Sequence, residues 1–187
     1  TQHPDILCHL CGEKIMIRKA ERKDIVAVAA IYDEIHAAEE RGEISVGWER
    51  GVYPTESTAE NAFNCGELFV EETEGRIVAA AIINRKQVDV YKDGDWLYKA
   101  DDGNIMVLHT LVVSPSASGK GCGKAFVAFY EEYALKNNCH VLRMDTNERN
   151  EKARAMYRKL GYREAGIIPT VFNGIPGVGL VLLEKRI

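Results

Sequence analysis

The sequence predicts an α/β chain of the α+β kind, with a mixed, mostly antiparallel central sheet flanked by helices. Three observations predict it. A strand, a glycine-rich turn and an amphipathic helix follow one another across residues 105–134. Two short apolar runs, 68–73 and 76–84, flank Glu74-Gly75 and read as a β-hairpin. Two more runs, 162–167 and 177–184, close the chain. In the last, Val178, Leu180 and Leu182 alternate with Gly179, Val181 and Leu183, so both faces of that strand are expected to be partly covered.

The chain of 187 residues suits one domain with a substantial core, 46% hydrophobic and 28% charged. A net charge of −4 and a pI of about 5.8 lend no support to a nucleic-acid partner. No apolar run approaches a membrane span, and no signal peptide is read. Five cysteines without a disulfide-scaffold pattern read as reduced thiols of a cytoplasmic protein. No internal repeat appears.

Residues 1–14 form a lead-in or an extra edge segment ahead of the domain, which is read as 15–187. Cys8 and Cys11 look like half of a zinc knuckle, but a structural zinc needs a second pair, so no metal is expected. A short strand is predicted at 15–19. Asp24 caps a helix whose buried face carries Ile25, Val28, Ala29, Tyr32 and Ile35, ending near Gly42. Ser57 and Glu60 match a capping box for a second short helix. Residues 86–103 are longer and more polar than a tight connection needs. They read as a solvated hairpin insertion whose carboxylates weakly favour a cationic substrate. Asp89, Asp93 and Asp95 lack calcium-loop spacing.

The strand at 105–113 ends at Ser114-Pro115, because proline donates nothing to a ladder. Gly119, Gly121 and Gly123 then alternate with Lys120, Cys122 and Lys124 before Phe126, Phe129, Tyr130 and Tyr133 take up helical spacing. Glycines at a helix start let backbone N–H groups approach a ligand, and the helix dipole favours an anion there. Three phosphate templates compete. The P-loop GxxxxGK[ST] is one residue too long for Gly119 to Gly123, and Ala125 stands where its hydroxyl belongs. The dinucleotide fingerprint GxGxxG fails at Lys124. The coenzyme A pyrophosphate loop [QR]xxGxG[AG] fits Gly121 and Gly123, with Ser118 in place of Gln or Arg.

A second stretch weighs on the choice. After a predicted strand at 140–145, Asn150 opens a helix whose face carries Ala153, Met156, Tyr157 and Leu160, with Gly161 placed to cap its end. Val113-Ser114-Pro115, SGKGCG and NEKARAMYRKLGY follow one another in the order of the GNAT superfamily of N-acetyltransferases, which the chain strongly resembles. The resemblance is motif-specific from about 111 to 162, and Ser118 is its one clear departure. It implies a GNAT-like acyl-CoA N-acyltransferase fold with acetyl-CoA as cosubstrate. The strands at 105–113 and 140–145 would be parallel neighbours that splay apart to admit the pantetheine arm. It implies cofactor contacts from Leu111, Val112, Val113, from Gly119 through Lys124, and from Asn150. It places the acceptor site beside the region of Trp48 and Tyr53, which would wall the substrate pocket.

The chemistry sets three demands. An alkyl ammonium with pKa near 10.4 is only about one part in 2,500 neutral at pH 7, which costs roughly 4–5 kcal/mol. A general base must take its proton, and the candidates are Asp145, Glu148 and His109, with Asp145 at the offset from Asn150 that some family members use for a carboxylate. His109, in mid-strand, reads better as a satisfied histidine. Backbone N–H groups of Leu111 to Val113 can reach the oxyanion if the strand bulges there. By similarity Tyr157 protonates the departing thiolate. No cysteine is convincingly placed for an acyl-enzyme, and Cys122 reads as a small helix-facing residue. The reading is therefore an acetyl-CoA-dependent N-acetyltransferase acting by direct transfer in a ternary complex. The acceptor is a small-molecule or peptide amine, and neither nucleic acid nor membrane is a partner. Homodimers are common among soluble assemblies, but the sequence does not set the oligomeric state. A non-catalytic coenzyme A-binding module and a nucleotide-binding protein are the rivals.

Overall fold

The computed structural model describes residues 15–187 and the backbone of Ile6–Cys8. The strands are β1 (Ile6–Cys8), β2 (Ile15–Lys19), β3 (Leu68–Thr73), β4 (Arg76–Asn84), β5 (Ile105–Val113), β6 (Val141–Asn147), β7 (Arg163–Phe172) and β8 (Ile175–Arg186). They form one sheet in the order β1-β2-β3-β4-β5-β6-β8-β7. Every pairing is antiparallel except β5 with β6, which is parallel as expected. The helices are α1 (Ile25–Glu40), α2 (Glu56–Asn64), α3 (Cys122–Lys136) and α4 (Glu151–Lys159).

Alternation along the strands divides the core between two faces. Ala79, Ala81 and Ile83 of β4 and Met106 and Leu108 of β5 point one way. There they meet Phe126, Phe129 and Tyr130 of α3. Phe126 and Tyr130 are wholly buried, and side chains of that size contribute about 1.5–3 kcal/mol each when removed from water. The opposite face takes Ala80, Ile82 and Val112 against α1 and α2. Farther along it, Ile105, Val107, Val141, Leu180 and Leu182 are covered by Tyr91.

That last cover corrects the hairpin expected at 86–103. The segment forms two short 3-10 turns, Asp89–Asp93 and Asp102–Asn104, and its aromatic side lies on the sheet. Its anchors come from distant strands. Glu184 of β8 is fully buried and accepts from the backbone N–H of Leu97 at 2.8 Å and of Tyr98 at 3.1 Å. Arg163 satisfies the same carboxylate at 2.7 Å. The Arg143 guanidinium lies 4.0 Å from the Trp96 ring centroid and donates to the Tyr98 carbonyl. The aspartates of the segment face solvent.

The start of α2 is also corrected. Thr55, not Ser57, is its N-cap, and Thr55 and Thr58 exchange the reciprocal bonds of the capping box. At the far end of α4 the expected Gly161 cap is present at φ +88°. The Tyr162 N–H donates to the Tyr157 carbonyl and the Gly161 N–H to Arg158, the paired bonds of a Schellman motif. The Tyr157 and Tyr162 rings pack edge-on, 6.0 Å apart, across it.

The zinc reading of Cys8 and Cys11 lies outside the described residues. Among those described, no group of three or more His, Cys, Asp or Glu side chains could hold a metal, and no helix is long and apolar enough to cross a membrane.

One core group opposes the fold. Glu71 of β3 is fully buried, and among the described residues neither carboxylate oxygen has a hydrogen-bond partner. Burial raises its pKa, so folding favours the protonated acid. A carboxyl whose folded pKa lies above its unfolded value contributes most below the unfolded pKa, and stability falls as pH rises through the folded one. Glu71→Gln is therefore expected to raise Tm at pH 8, by about 2–4 °C for each kcal/mol relieved, and much less at pH 5. Melts at the two pH values check this. A variant no more stable than wild type at pH 8 would refute it.

Candidate active site

The site begins where the parallel pair stops. Register between β5 and β6 runs from Ile105–Val141 to Leu108–Met144 and goes no further. Beyond it β6 follows β8, with Asp145 opposite Leu182. The edge of β5 from His109 onward thus faces a gap between strands. On its other side β5 stays paired to β4, but Thr110 and Leu111 together stand opposite Ala81. This is the bulge that the oxyanion role requires, and Thr110 takes φ +51°, a conformation uncommon for a β-branched residue. Leu111, Val112 and Val113 follow directly on it.

At one end of the gap lies the glycine loop. Gly119 and Gly121 have φ +82° and +87°, and a Cβ at either would meet nothing within 4 Å. Their role is backbone geometry, and the surface above them is open. Gly123 has a different reason: a Cβ there would come within 3.2 Å of Met156 Sδ, so glycine lets α4 pack on the start of α3. No side chain caps α3, which leaves its first N–H groups directed outward as donors. Lys120 and Lys124 are exposed beside them. Cys122 faces inward instead. Burial, chiefly, pushes its thiol up to about 11, so only its backbone is turned to a ligand. Asn150 is the N-cap of α4 and accepts from the Ala153 N–H at 3.2 Å, which leaves its amide N–H groups for other contacts.

Asp145 stands on β6 just past the last parallel pair, half-buried. The Tyr91 hydroxyl donates to its Oδ2 at 2.7 Å. Burial lifts the Asp145 carboxyl to about 6, and the Tyr91 bond only partly offsets this. Tyr157 reaches the same place from α4 on the other face of the sheet. Its pKa is raised far above the usual phenol value, first by burial and then by the Asp145 carboxylate. Among the described residues no hydrogen bond engages its hydroxyl.

The loop between α1 and α2 reaches the bulge from the other side. Tyr53 shares a short hydrogen bond with the Thr110 hydroxyl at the bulge. Burial, foremost, raises its pKa to about 12. Trp48 packs edge-on against Tyr53 at 6.1 Å. The Glu39 carboxylate holds this loop, accepting from the N–H of Val46 at 2.7 Å and of Gly47 at 3.1 Å. A side chain at Gly47 would collide with Asn147, so the glycine lets the loop close on the end of β6.

His109, another of the base candidates, is committed to a neighbour. His109 Nε2 lies 2.8 Å from Asn84 Oδ1. That oxygen also accepts from the Lys86 N–H, so it is an acceptor and the histidine donates. Burial lowers the His109 pKa to about 4, which keeps the ring neutral and committed. Glu148 is exposed and lies against Gly179 of β8. The residue that sequence reasoning missed is Tyr91. Its signal was present as an aromatic set, Tyr91, Trp96 and Tyr98, within an otherwise polar stretch.

The arrangement is thus a strand gap beside an uncapped helix start, with a carboxylate and a tyrosine near it. Residues 28–162 match the family model of the GNAT acetyltransferases, and the chain belongs to that family. The uncharacterized N-acetyltransferase YhfO of Bacillus subtilis is 37% identical over 60 residues, 32% of this chain and 40% of that protein. An uncharacterized N-acetyltransferase of Methanocaldococcus jannaschii is 26% identical over 174 residues, 92% of each chain. The crystal structure of a GNAT-family acetyltransferase from Streptococcus agalactiae superposes with a TM-score of 0.79 at 22% identity, covering 93% of this chain and 96% of that one.

Proposed function

We propose that the protein transfers the acetyl group of acetyl-CoA to a primary amine of a small molecule or peptide, by direct attack within a ternary complex. The observation that carries this reading is the Asp145 carboxyl. It lies at the strand gap, is held by Tyr91 and titrates near 6, where a base is effective at neutral pH. The coenzyme's phosphates would lie on the glycine loop and the start of α3, with the pantetheine arm along the open edge of β5. The amine enters between the Trp48–Tyr53 wall and the Tyr91 segment. Its nitrogen attacks the thioester carbonyl carbon as its proton passes to Asp145. Backbone N–H groups following the Thr110 bulge donate to the developing oxyanion, and one such donor is typically worth about 3 kcal/mol. The C–S bond then breaks, and the thiolate takes the Tyr157 proton to leave as the free thiol. The Asp145 proton then passes, directly or through water, to the Tyr157 phenolate, which restores both groups.

The first test is titration calorimetry with acetyl-CoA, with ATP as control. Binding of acetyl-CoA in the micromolar range without an ATP response supports the assignment. Folded protein that ignores acetyl-CoA refutes it. An amine panel read by thiol release then finds the acceptor.

A further inference from the structure

Lys152 is badly placed for helix stability. It lies in the first turn of α4, two residues after the Asn150 cap, where the helix dipole repels a cation. No acidic side chain compensates it. The adjacent Glu151 turns to Arg154, at 3.5 Å, and Lys152 joins no ion pair among the described residues. Instead its ammonium donates to Ser118 Oγ at 2.9 Å, bridging from α4 to the glycine loop. An ammonium has three donors and no acceptor, so this bond leaves donors free above the loop.

The surroundings repeat the same imbalance. The uncapped start of α3 aims its N–H groups outward within the same loop. Lys120 and Lys124 flank it, also without ion pairs among the described residues. Met156 of α4 packs against Gly123, which ties the two helix starts together. Two helix starts and three lysines thus border the loop, and among the described residues none of the three lysines is paired with a carboxylate. Ser118 itself carries no charge to set against an anion lying over Gly119 and Gly121.

We propose that Lys152 is a ligand of the coenzyme pyrophosphate, tethered by Ser118 and supplying from α4 the positive charge that the loop lacks at position 118. This deepens the acetyl-CoA reading and rests on it. The contact is a charge-assisted hydrogen bond to a phosphate oxygen, and Ser118 orients the ammonium toward it.

The test compares wild type, Lys152→Met, Lys152→Arg and the double variant Ser118→Arg/Lys152→Met by calorimetry with acetyl-CoA. Lys152 is exposed, so these chains should fold, and Tm is recorded for each. Lys152→Met is expected to raise Kd by about tenfold while kcat at saturating acetyl-CoA stays near wild type. Lys152→Arg should keep most of the affinity, and arginine at position 118 should restore it in the double variant. The same penalty should appear with 3′-dephospho-CoA, because the contact is to the pyrophosphate. An unchanged Kd in a folded Lys152→Met protein overturns the proposal, as does a penalty that vanishes with 3′-dephospho-CoA. Both outcomes leave the acetyl-CoA reading standing, whereas wild type that binds no acetyl-CoA overturns the two together.

Discussion

Asp145→Asn is expected to lower kcat by a factor of about 10²–10⁴ while acetyl-CoA affinity stays within about twofold of wild type. The substitution keeps the shape of the side chain and an oxygen that can accept from the Tyr91 hydroxyl. What it removes is the lone acceptor of the amine's proton. The pH dependence separates this from a structural effect. Burial holds the Asp145 carboxyl at about 6, so it is ionised above that pH and protonated below. The amine must also be neutral, which alone makes kcat/KM rise with pH. In wild type the logarithmic slope should therefore steepen by about one unit below pH 6, and that extra slope should vanish in the variant. Stability should move the other way. A carboxyl raised by burial loses its contribution as pH rises through about 6, so Asp145→Asn should melt higher than wild type at pH 7. Turnover and pH profile unchanged from wild type would remove Asp145 from the mechanism.

Tyr157→Phe is expected to lower kcat by about 10²-fold with little change in KM for acetyl-CoA. The ring is buried among the α3 and α4 side chains, and phenylalanine preserves that packing. Since no hydrogen bond engages the hydroxyl among the described residues, its loss should leave Tm nearly unchanged. The raised pKa keeps the phenol protonated at any physiological pH, so it is present as a hydrogen-bond donor and proton source for the sulfur as the C–S bond breaks. The deficit should therefore shrink with a thioester whose thiol is more acidic, because that leaving group needs no proton. A deficit independent of the leaving group would make Tyr157 a packing residue. Wild-type turnover in the variant would make it irrelevant to the reaction.

Local signals carried much of this fold. β3, β4 and β5 lie where alternation and the Glu74-Gly75 turn put them, and α4 starts and stops at the Asn150 and Gly161 caps. Capping and alternation act over a few residues, so they can be read without a partner. The misreadings share the opposite character. Residues 86–103 look polar and solvated because the groups that bury their aromatic side, Arg143, Arg163 and Glu184, come from strands far along the chain. Tyr91 acquires its role only when β6 brings Asp145 within reach. The α2 boundary was misplaced because Ser57, Thr58 and Thr55 all suit a cap chemically, and only the chain's approach selects Thr55. At the site, the family resemblance singled out Asp145, and the structure puts it just past the last parallel pair. The mid-strand position of His109 already favoured a satisfied histidine, while the partner that satisfies it, Asn84 of the neighbouring strand, could not be read from the chain.

The gap between β5 and β6 also bears on solubility and selectivity. An unpaired strand edge is ordinarily a template for another chain, and proteins shield such edges with charge, bulges or cover. Here the edge opens inside the sheet rather than at its border, with α3 and α4 on one side and the Tyr91 segment and the Trp48–Tyr53 wall on the other. The Thr110 bulge twists it further from the flat geometry that a foreign strand needs. In the proposed reaction, the amide-bearing pantetheine arm lies along this edge and takes up the backbone's free donors and acceptors. The fold thereby keeps an exposed β-edge, usually an aggregation hazard, as a receptor for slender linear ligands.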